Sequence, residues 1–436
     1  MTNQLYLGVA RKDITPEIGG NLYGYRPDLY SDSIHDNLTV TAFAFKSADV
    51  CAVMVSATVG GVKTTLTNEI RTQISKKHNI PFGNIVISAT HTHSGPNISG
   101  VFGWGDVDFK YYDEIFLPNL FKAVDEAVEN TVKVQMRIAS GDSLVGVNRR
   151  ELTSQNTVWF GQQPWGCFNP KMSILSFKDE SGKVIANIIH YGAHCTAAGA
   201  NHEITRDWSG IMTDAVEEIS GGITAFFNGF EGDVGPRLSN GQTTGDISFV
   251  EELGAIAAKD AVDIYNKNSE YENSGLKCAS EIVKIPLKRR ISLEEAQSCL
   301  DKYSTETINI GGQTHQYYED VVNSYKKGYS DKEYYELEQC LIQVGNVVFV
   351  PFPYEVFSEI GLRIQKEIKD KIVLPLALSN GQESYFPTQD QLCKGGYEID
   401  MFKTGNIQNF VDDADWYVIT GTVDNINKLK GLVDNV

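Results

Sequence analysis

Apolar positions in the first 60 residues fall into three short blocks, YLGVA from Tyr6, LTVTAFAF from Leu38 and VCAVMVSATV from Val50. Blocks of this length, bounded by turn-forming residues, predict strands. The polar stretch LYGYRPDLYSDSIHD at 22–36 lies between the first two and reads as a long loop. Leu66, Ile70 and Ile74 then recur at helical spacing within 64–80, and the helix feeds a short buried strand at 84–90. The pattern continues with a helix at 111–131 and a strand at 134–147. Residues 171–193 read as a hairpin turning at Asp179-Glu180-Ser181-Gly182. A helix at 209–220, a strand at 223–230 and an amphipathic helix at 250–267 follow. Residues 273–340 are more polar and less regular, predicting a strand followed by helical excursions whose role the pattern leaves open. The chain ends in a strand at 341–353, a helix at 355–370 and a strand at 372–381.

No repeat, low-complexity tract or Pro/Ser linker divides the chain. It therefore reads as one large α/β (mixed α+β) domain, a layered sandwich of mixed β-sheets flanked by helices. The 436 residues suffice for a large core. No stretch approaches the roughly 18 uninterrupted apolar residues of a membrane helix, so no stable membrane insertion is expected. Thirty-eight basic against 56 acidic residues give a net charge of −18, which argues against nucleic acid as a partner. Seven scattered cysteines form no CxxC, so neither a disulfide scaffold nor a zinc ribbon is indicated. With no signal-like N-terminus in MTNQLYLGVARKDITPEIGG, the expected location is the cytoplasm. The oligomeric state is left open.

Chemistry-bearing residues gather where apolar strands end. In ISATHTHSGP, His91 and His93 stand two apart, so in an extended segment both face one side. The pair fits a metal site and a hydrogen-bonded strand terminus equally well. HYGAHCTAAGANHEITRDWSG holds three more histidines. His190 lies inside the apolar run and reads as structural. His194 falls at the strand end, and His202 lies in a polar loop. Asp207 of TRDW is a helix cap or a partner for a histidine. Asp233 sits in the glycine-rich turn of FEGDVGPR. Glu355 follows two prolines in FVPFPYEVF and is expected to open a helix, while Tyr385 and Tyr397 stand in a Gly/Pro loop.

Taken together, DITP, IHD, SATHTHSGP, VNRR, AHCT with ITRDWSG, GDVGP, VPFPYEVFSEIG and SYFPT with GGYE resemble the neutral/alkaline ceramidase family, in the family's order and across almost the whole chain. The resemblance implies a zinc-dependent hydrolase that cleaves an N-acyl amide by attack of water activated on the metal. It assigns His91, His194, Glu355 and Tyr385 as Zn2+ ligands. His93, Tyr397, Arg149 and Asp233 are the implied catalytic residues, with Arg149 and Gly235 on the substrate side.

Two departures qualify the substrate. The family's GDVSP serine is Gly235 here, a change that leaves direct water attack possible and would give the pocket more room. No counterpart of the family's C-terminal β domain is apparent, so residues 1–436 are expected to form a bacterial-type catalytic domain acting on a small-molecule or N-acyl amide substrate other than ceramide. A metal-dependent esterase or lactonase, or a non-catalytic binding protein with a degenerate site, are the alternatives. A serine hydrolase is disfavoured because no G-x-S-x-G elbow occurs.

Overall fold

The computed structural model describes residues 4–101, 104–155, 157–302 and 310–431. An eight-stranded mixed sheet forms the centre. Its order is Ile223–Asn228, Val184–Tyr191, Lys171–Asp179, Val132–Asp142, Tyr6–Asp13, Thr39–Ser47, Val50–Ala57 and Ile85–Ala89. The pairings at its two edges are parallel and those between are antiparallel. A four-stranded sheet, Leu276–Pro286, Tyr334–Val344, Val347–Pro351 and Ile372–Leu376, packs over it. Phe43, Phe45, Phe177, Ile188 and Phe227 of the large sheet meet Ile342, Val344, Phe349 and Leu374 of the small one in one buried cluster.

Both faces of these strands are covered. Phe227 points to the inter-sheet core, while its neighbour Phe226 packs under the helices Trp208–Ser220 and Ile247–Tyr265. Thr64–His78 and Leu117–Glu129 cover the same sheet near its other edge through Ile70, Ile74, Leu120 and Val124. Ser358–Glu367 and Ala414–Gly431 lie on the outer side of the smaller sheet. The layers therefore run helix, sheet, sheet, helix, which is why the strands read as continuous apolar runs and not as clean alternation. Among the described residues no helix is long and apolar enough to cross a membrane.

Three local differences from the sequence expectations have physical causes. The strand expected at 134–147 is two strands, Val132–Asp142 and Gly146–Leu152, which join different sheets. Between them the Ser143 amide turns away to donate to Pro170 O, and Val145 is buried. Before Leu117 the helix widens into a π-turn over Tyr112–Phe116, next to Pro118, which has no N–H to donate. Glu355 does not open a helix. It lies in a two-residue strand, Glu355–Val356, paired in parallel with Tyr385–Phe386, and the helix begins at Ser358. Within 273–340 the structure has the strand Leu276–Pro286, helices Leu293–Leu300 and Ile310–Lys326, and a strand from Tyr334. Residues 303–309 of that stretch lie outside the described residues.

Candidate metal centre

His91 follows the edge strand Ile85–Ala89 and takes a left-handed backbone, φ 68°. A non-glycine residue in that region carries strain and needs its surroundings to hold it there. The amide of His91 donates to Val59 O, and its Nδ1 lies 2.5 Å from Gly60 O. His194 follows the strand Val184–Tyr191, and its Nδ1 is 3.0 Å from both Glu231 O and Val234 O. Carbonyl oxygens only accept, so the Nδ1 atoms of His91 and His194 each carry the proton. In the neutral rings both Nε2 atoms then present a lone pair.

Those lone pairs converge on a carboxylate. Glu355 Oε2 lies 3.1 Å from His194 Nε2 and 3.5 Å from His91 Nε2, and His93 Nε2 is 3.2 Å from His91 Nε2. All four side chains are buried. Acceptors facing acceptors in a dry site repel unless a cation or extra protons lie between them. For a tetrahedral ion with ligand bonds of about 2.0–2.1 Å, neighbouring ligand atoms lie about 3.3–3.4 Å apart. The observed spacings fit that edge closely, and the donor set suits zinc. Burial lowers the pKa of His194 to about 3, with Arg149 and His91 adding to the effect.

His93 sits at the edge of the cluster. Burial, then repulsion from His91 and His194, pushes its pKa well down. Tyr23 and Tyr25 enclose its ring at centroid distances of 5.1 and 5.2 Å, with Trp104 at 6.2 Å. Gly24 is required there, because a Cβ on it would come within 2.2 Å of His93 Nδ1, and its φ of 103° suits only glycine.

On the other side, the parallel pairing places Tyr385 beside Glu355. Arg149 Nη2 donates to Tyr385 Oη at 3.0 Å, and its Nε donates to Glu398 Oε1 at 2.9 Å. Glu398 also accepts from Arg150 Nη1 at 2.6 Å. Burial disfavours the charged guanidinium of Arg149, but Tyr385, Glu398 and Glu355 hold it protonated. The Tyr397 ring lies 5.6 Å from that of Tyr385 and 5.3 Å from Phe160, over which Arg149 also packs. Burial, then Glu355, raises both tyrosine pKa values.

The structure thus brings His91, His93, His194, Glu355, Tyr385, Arg149 and Tyr397 into one neighbourhood. Asp233 is held differently. Its carboxylate accepts from Ser358 N at 2.7 Å and from Asn148 Nδ2 at 3.1 Å, and it lines a separate cavity of about 320 Å³ with Asn148, Arg150 and Glu359. Burial raises its pKa to about 6. Gly235 does not leave extra room. A Cβ there would lie 2.7 Å from Thr243 Cβ and 2.9 Å from its Cγ2, so Thr243 already occupies the space. His190 donates from Nε2 to Pro375 O at 2.8 Å inside the core, and the exposed His202 donates from Nδ1 to Tyr30 O. Asp207 caps the helix at Trp208 N and accepts from Ala197 N and Ala198 N, which fixes the small-residue run after His194.

Sequence reasoning missed Glu231, Glu398, Thr243 and the Tyr23, Tyr25 and Trp104 enclosure. Glu231 is the most consequential of these. It is fully buried, both its carboxylate oxygens lack a hydrogen-bond partner among the described residues, and its pKa is raised well above the ordinary range by burial and then by Glu355. His91, Glu231 and Glu355 offer ligand atoms all within 4.8 Å of one another, as do His91, His93 and His194. The one available signal was its position two residues before Asp233 in FEGDVGP.

Comparisons with known proteins point one way. The family model for neutral/alkaline non-lysosomal ceramidase, N-terminal, matches residues 5–252. Neutral ceramidase A of Dictyostelium discoideum is 27% identical over 270 residues, covering 53% of this chain and 36% of that protein. Neutral ceramidase of Pseudomonas aeruginosa is 25% identical over 288 residues, covering 60% of this chain and 42% of that one. The matches therefore span well under half the length of these relatives. The solved neutral ceramidase of Pseudomonas aeruginosa superposes with TM-score 0.73 at 18% identity, over 99% of this chain and 74% of that one. A ceramidase solved in complex with C2 gives 0.72 at 16% identity, over 98% and 76%. At these identities the two structures establish the fold.

Proposed function

Since the chain belongs to the neutral/alkaline non-lysosomal ceramidase family, we propose that it is a zinc-dependent hydrolase cleaving an N-acyl amide bond in a substrate other than ceramide. The observation that carries this reading is the convergence of His91 Nε2, His194 Nε2 and Glu355 Oε2 at 3.1–3.5 Å, with both histidines committed to donating through Nδ1. His91, His194, Glu355 and Tyr385 are the proposed ligands. Zinc held there would supply Lewis acidity for the amide carbonyl and acidify a water molecule.

The chain's own groups supply the rest. Gly60 O and the carbonyls of Glu231 and Val234 aim the two imidazoles, fixing their tautomers before substrate arrives. Arg149, charged and held by Glu398, sets the orientation of Tyr385 and, with Tyr397, faces the oxygen on which negative charge grows. Burial keeps His93 neutral, so its Nε2 can take the proton of the attacking water and return it to the leaving nitrogen. Asp233 acts as a positioning residue, tying the turn before Gly235 to the helix at Ser358. Thr243 over Gly235 narrows the substrate side. The described residues form one catalytic unit.

Metal analysis of the purified protein, with a panel of amide and ester substrates assayed with and without chelator, tests the reading. One equivalent of zinc and chelator-sensitive amide cleavage are expected, and His91→Ala and His194→Ala should lose metal and activity together. No stoichiometric metal, or full activity in both variants, would sink it. Ester cleavage without amide cleavage would replace the amidase by an esterase on the same centre.

A further inference from the structure

We propose that Glu231 is an additional carboxylate ligand at this centre, so that the ion is held by two carboxylates and not by Glu355 alone. The inference rests on the metal-centre reading above but adds a residue that the family resemblance does not assign.

Three observations carry it. First, Glu231 is 0% exposed and neither carboxylate oxygen has a hydrogen-bond partner among the described residues. Buried carboxylates are ordinarily paired, hydrogen-bonded or bound to a metal. Protonation, towards which burial and Glu355 push it, removes the charge but still leaves both oxygens without a partner at their observed positions. Second, the carboxylate shares one space with His91 and Glu355, its oxygen lying within 4.8 Å of both their ligand atoms. Two carboxylates brought together in a dry interior repel unless a cation or a proton lies between them, and a cation there satisfies both at once. Third, the backbone places it there deliberately. The Glu231 carbonyl accepts from His194 Nδ1, the amide of the next residue, Gly232, donates to Val356 O, and the Glu231 carbonyl also accepts from Val234 N. A Cβ on Gly232 would come within 2.4 Å of Glu355 O, so the 231–232 segment is pressed against the strand that carries Glu355.

The chemical consequence concerns the choice of ion. Imidazole nitrogens favour zinc, whereas carboxylate and phenol oxygens favour harder ions with more ligands, such as manganese. A second carboxylate raises manganese affinity relative to zinc and retains whichever ion is bound more firmly.

The test compares metal-free wild type with Glu231→Gln and Glu231→Asp, prepared by chelator dialysis and titrated separately with Zn2+ and Mn2+. Melting temperature and metal content are the readouts, and no substrate is needed. Without metal, Glu231→Gln should melt no lower than wild type, because the buried acid it replaces has no hydrogen-bond partner to lose. On adding metal it should gain less, and its Mn2+ affinity should fall by at least about tenfold more than its Zn2+ affinity. Glu231→Asp, with its charge on a shorter arm, should fall between. Equal metal-induced shifts and an equal Zn2+/Mn2+ preference in wild type and Glu231→Gln overturn the proposal while leaving the metal centre intact. A Glu231→Gln protein that fails to fold without metal also overturns it. Failure of the wild type to take up either ion overturns the underlying reading as well.

Discussion

Restoring a serine at position 235 should harm this protein, because the space is taken. A Cβ built on Gly235 lies 2.7 Å from Thr243 Cβ, 2.9 Å from Thr243 Cγ2 and 3.4 Å from Arg149 Cβ. Contacts below about 3 Å demand movement, and Thr243 cannot comply by changing rotamer, since its Cβ is fixed to the backbone. That backbone is held, with Thr243 O accepting from Thr196 Oγ1 at 3.3 Å. Gly235 cannot retreat freely either, because it sits in a strand paired with Val147, next to the bond from Arg149 N to Asp233 O. Overpacking of this kind costs about 1–3 kcal/mol. An unfolding entropy near 2.1 cal/mol/K per residue gives about 0.9 kcal/mol/K for a chain this long. Gly235→Ser should therefore lower Tm by about 1–3 °C, a shift that scanning calorimetry resolves. A graded set isolates the cause. Thr243→Ala removes the methyl and the hydroxyl but keeps the Cβ and should relieve part of the loss, while Thr243→Gly removes the Cβ too and should relieve most of it, with the coupling read from the double-mutant cycle. Gly235→Ser melting like wild type, or losing as much in the Thr243→Gly background as alone, would refute the steric argument. Because Arg149 Cβ is the third contact, the same variants should lose activity in step with the strain.

Two further perturbations test the groups that hold the site. Arg149→Met leaves Glu398 paired with Arg150 alone and Tyr385 without its donor, so it should cost about 3–5 kcal/mol by denaturant titration and abolish turnover. Arg149→Lys keeps the charge but cannot reach Tyr385 and Glu398 at once, so stability should recover more than activity does; equal recovery of both would contradict the fork geometry. Asp36 accepts from Thr205 Oγ1, Arg206 N and Arg206 Nε and pairs with His35. Burial opposes its ionisation, yet Arg206 and the hydrogen bonds from His35 and Thr205 hold its pKa below the ordinary value. Asp36→Asn should cost about 1.5–3 kcal/mol at neutral pH. A carboxylate whose pKa is depressed in the folded state contributes fully above its unfolded pKa of about 3.9, and the contribution disappears as pH falls through the lower folded value. The Tm gap between wild type and Asp36→Asn should therefore hold at neutral pH and narrow as pH falls below the unfolded value of about 3.9 towards the lower folded one; a gap that stays constant or widens on acidification contradicts the assignment.

What could be read in the sequence, and what could not, divides along physical lines. The buried strands were legible because sheets covered on both faces need continuous apolar runs. The hairpin Lys171–Asp179 and Val184–Tyr191 was legible because its turn chemistry is local. Which strands share a sheet was not, since Tyr6–Asp13 pairs with Thr39–Ser47 on one side and Val132–Asp142 on the other across long stretches of chain. Glu355 was misplaced on a helix because a carboxylate after two prolines looks like a helix start, while the partner that makes it a strand, Ser384 O, is distant in sequence. The same limit applies within the site. Residue types at strand ends identified the histidines, Glu355 and the tyrosines as chemically able. Glu231 and Thr243 were passed over because an acid in a glycine-rich turn and a threonine in a polar loop ordinarily face water. Only tertiary structure buries them. Most of all, the groups that decide how His91 and His194 present their nitrogens are the backbone carbonyls of Gly60, Glu231 and Val234. A carbonyl is the same in every residue, so no side-chain pattern records it. The identity of the donors is a property of the sequence, but their tautomer, and hence their ability to bind a cation, is a property of the fold.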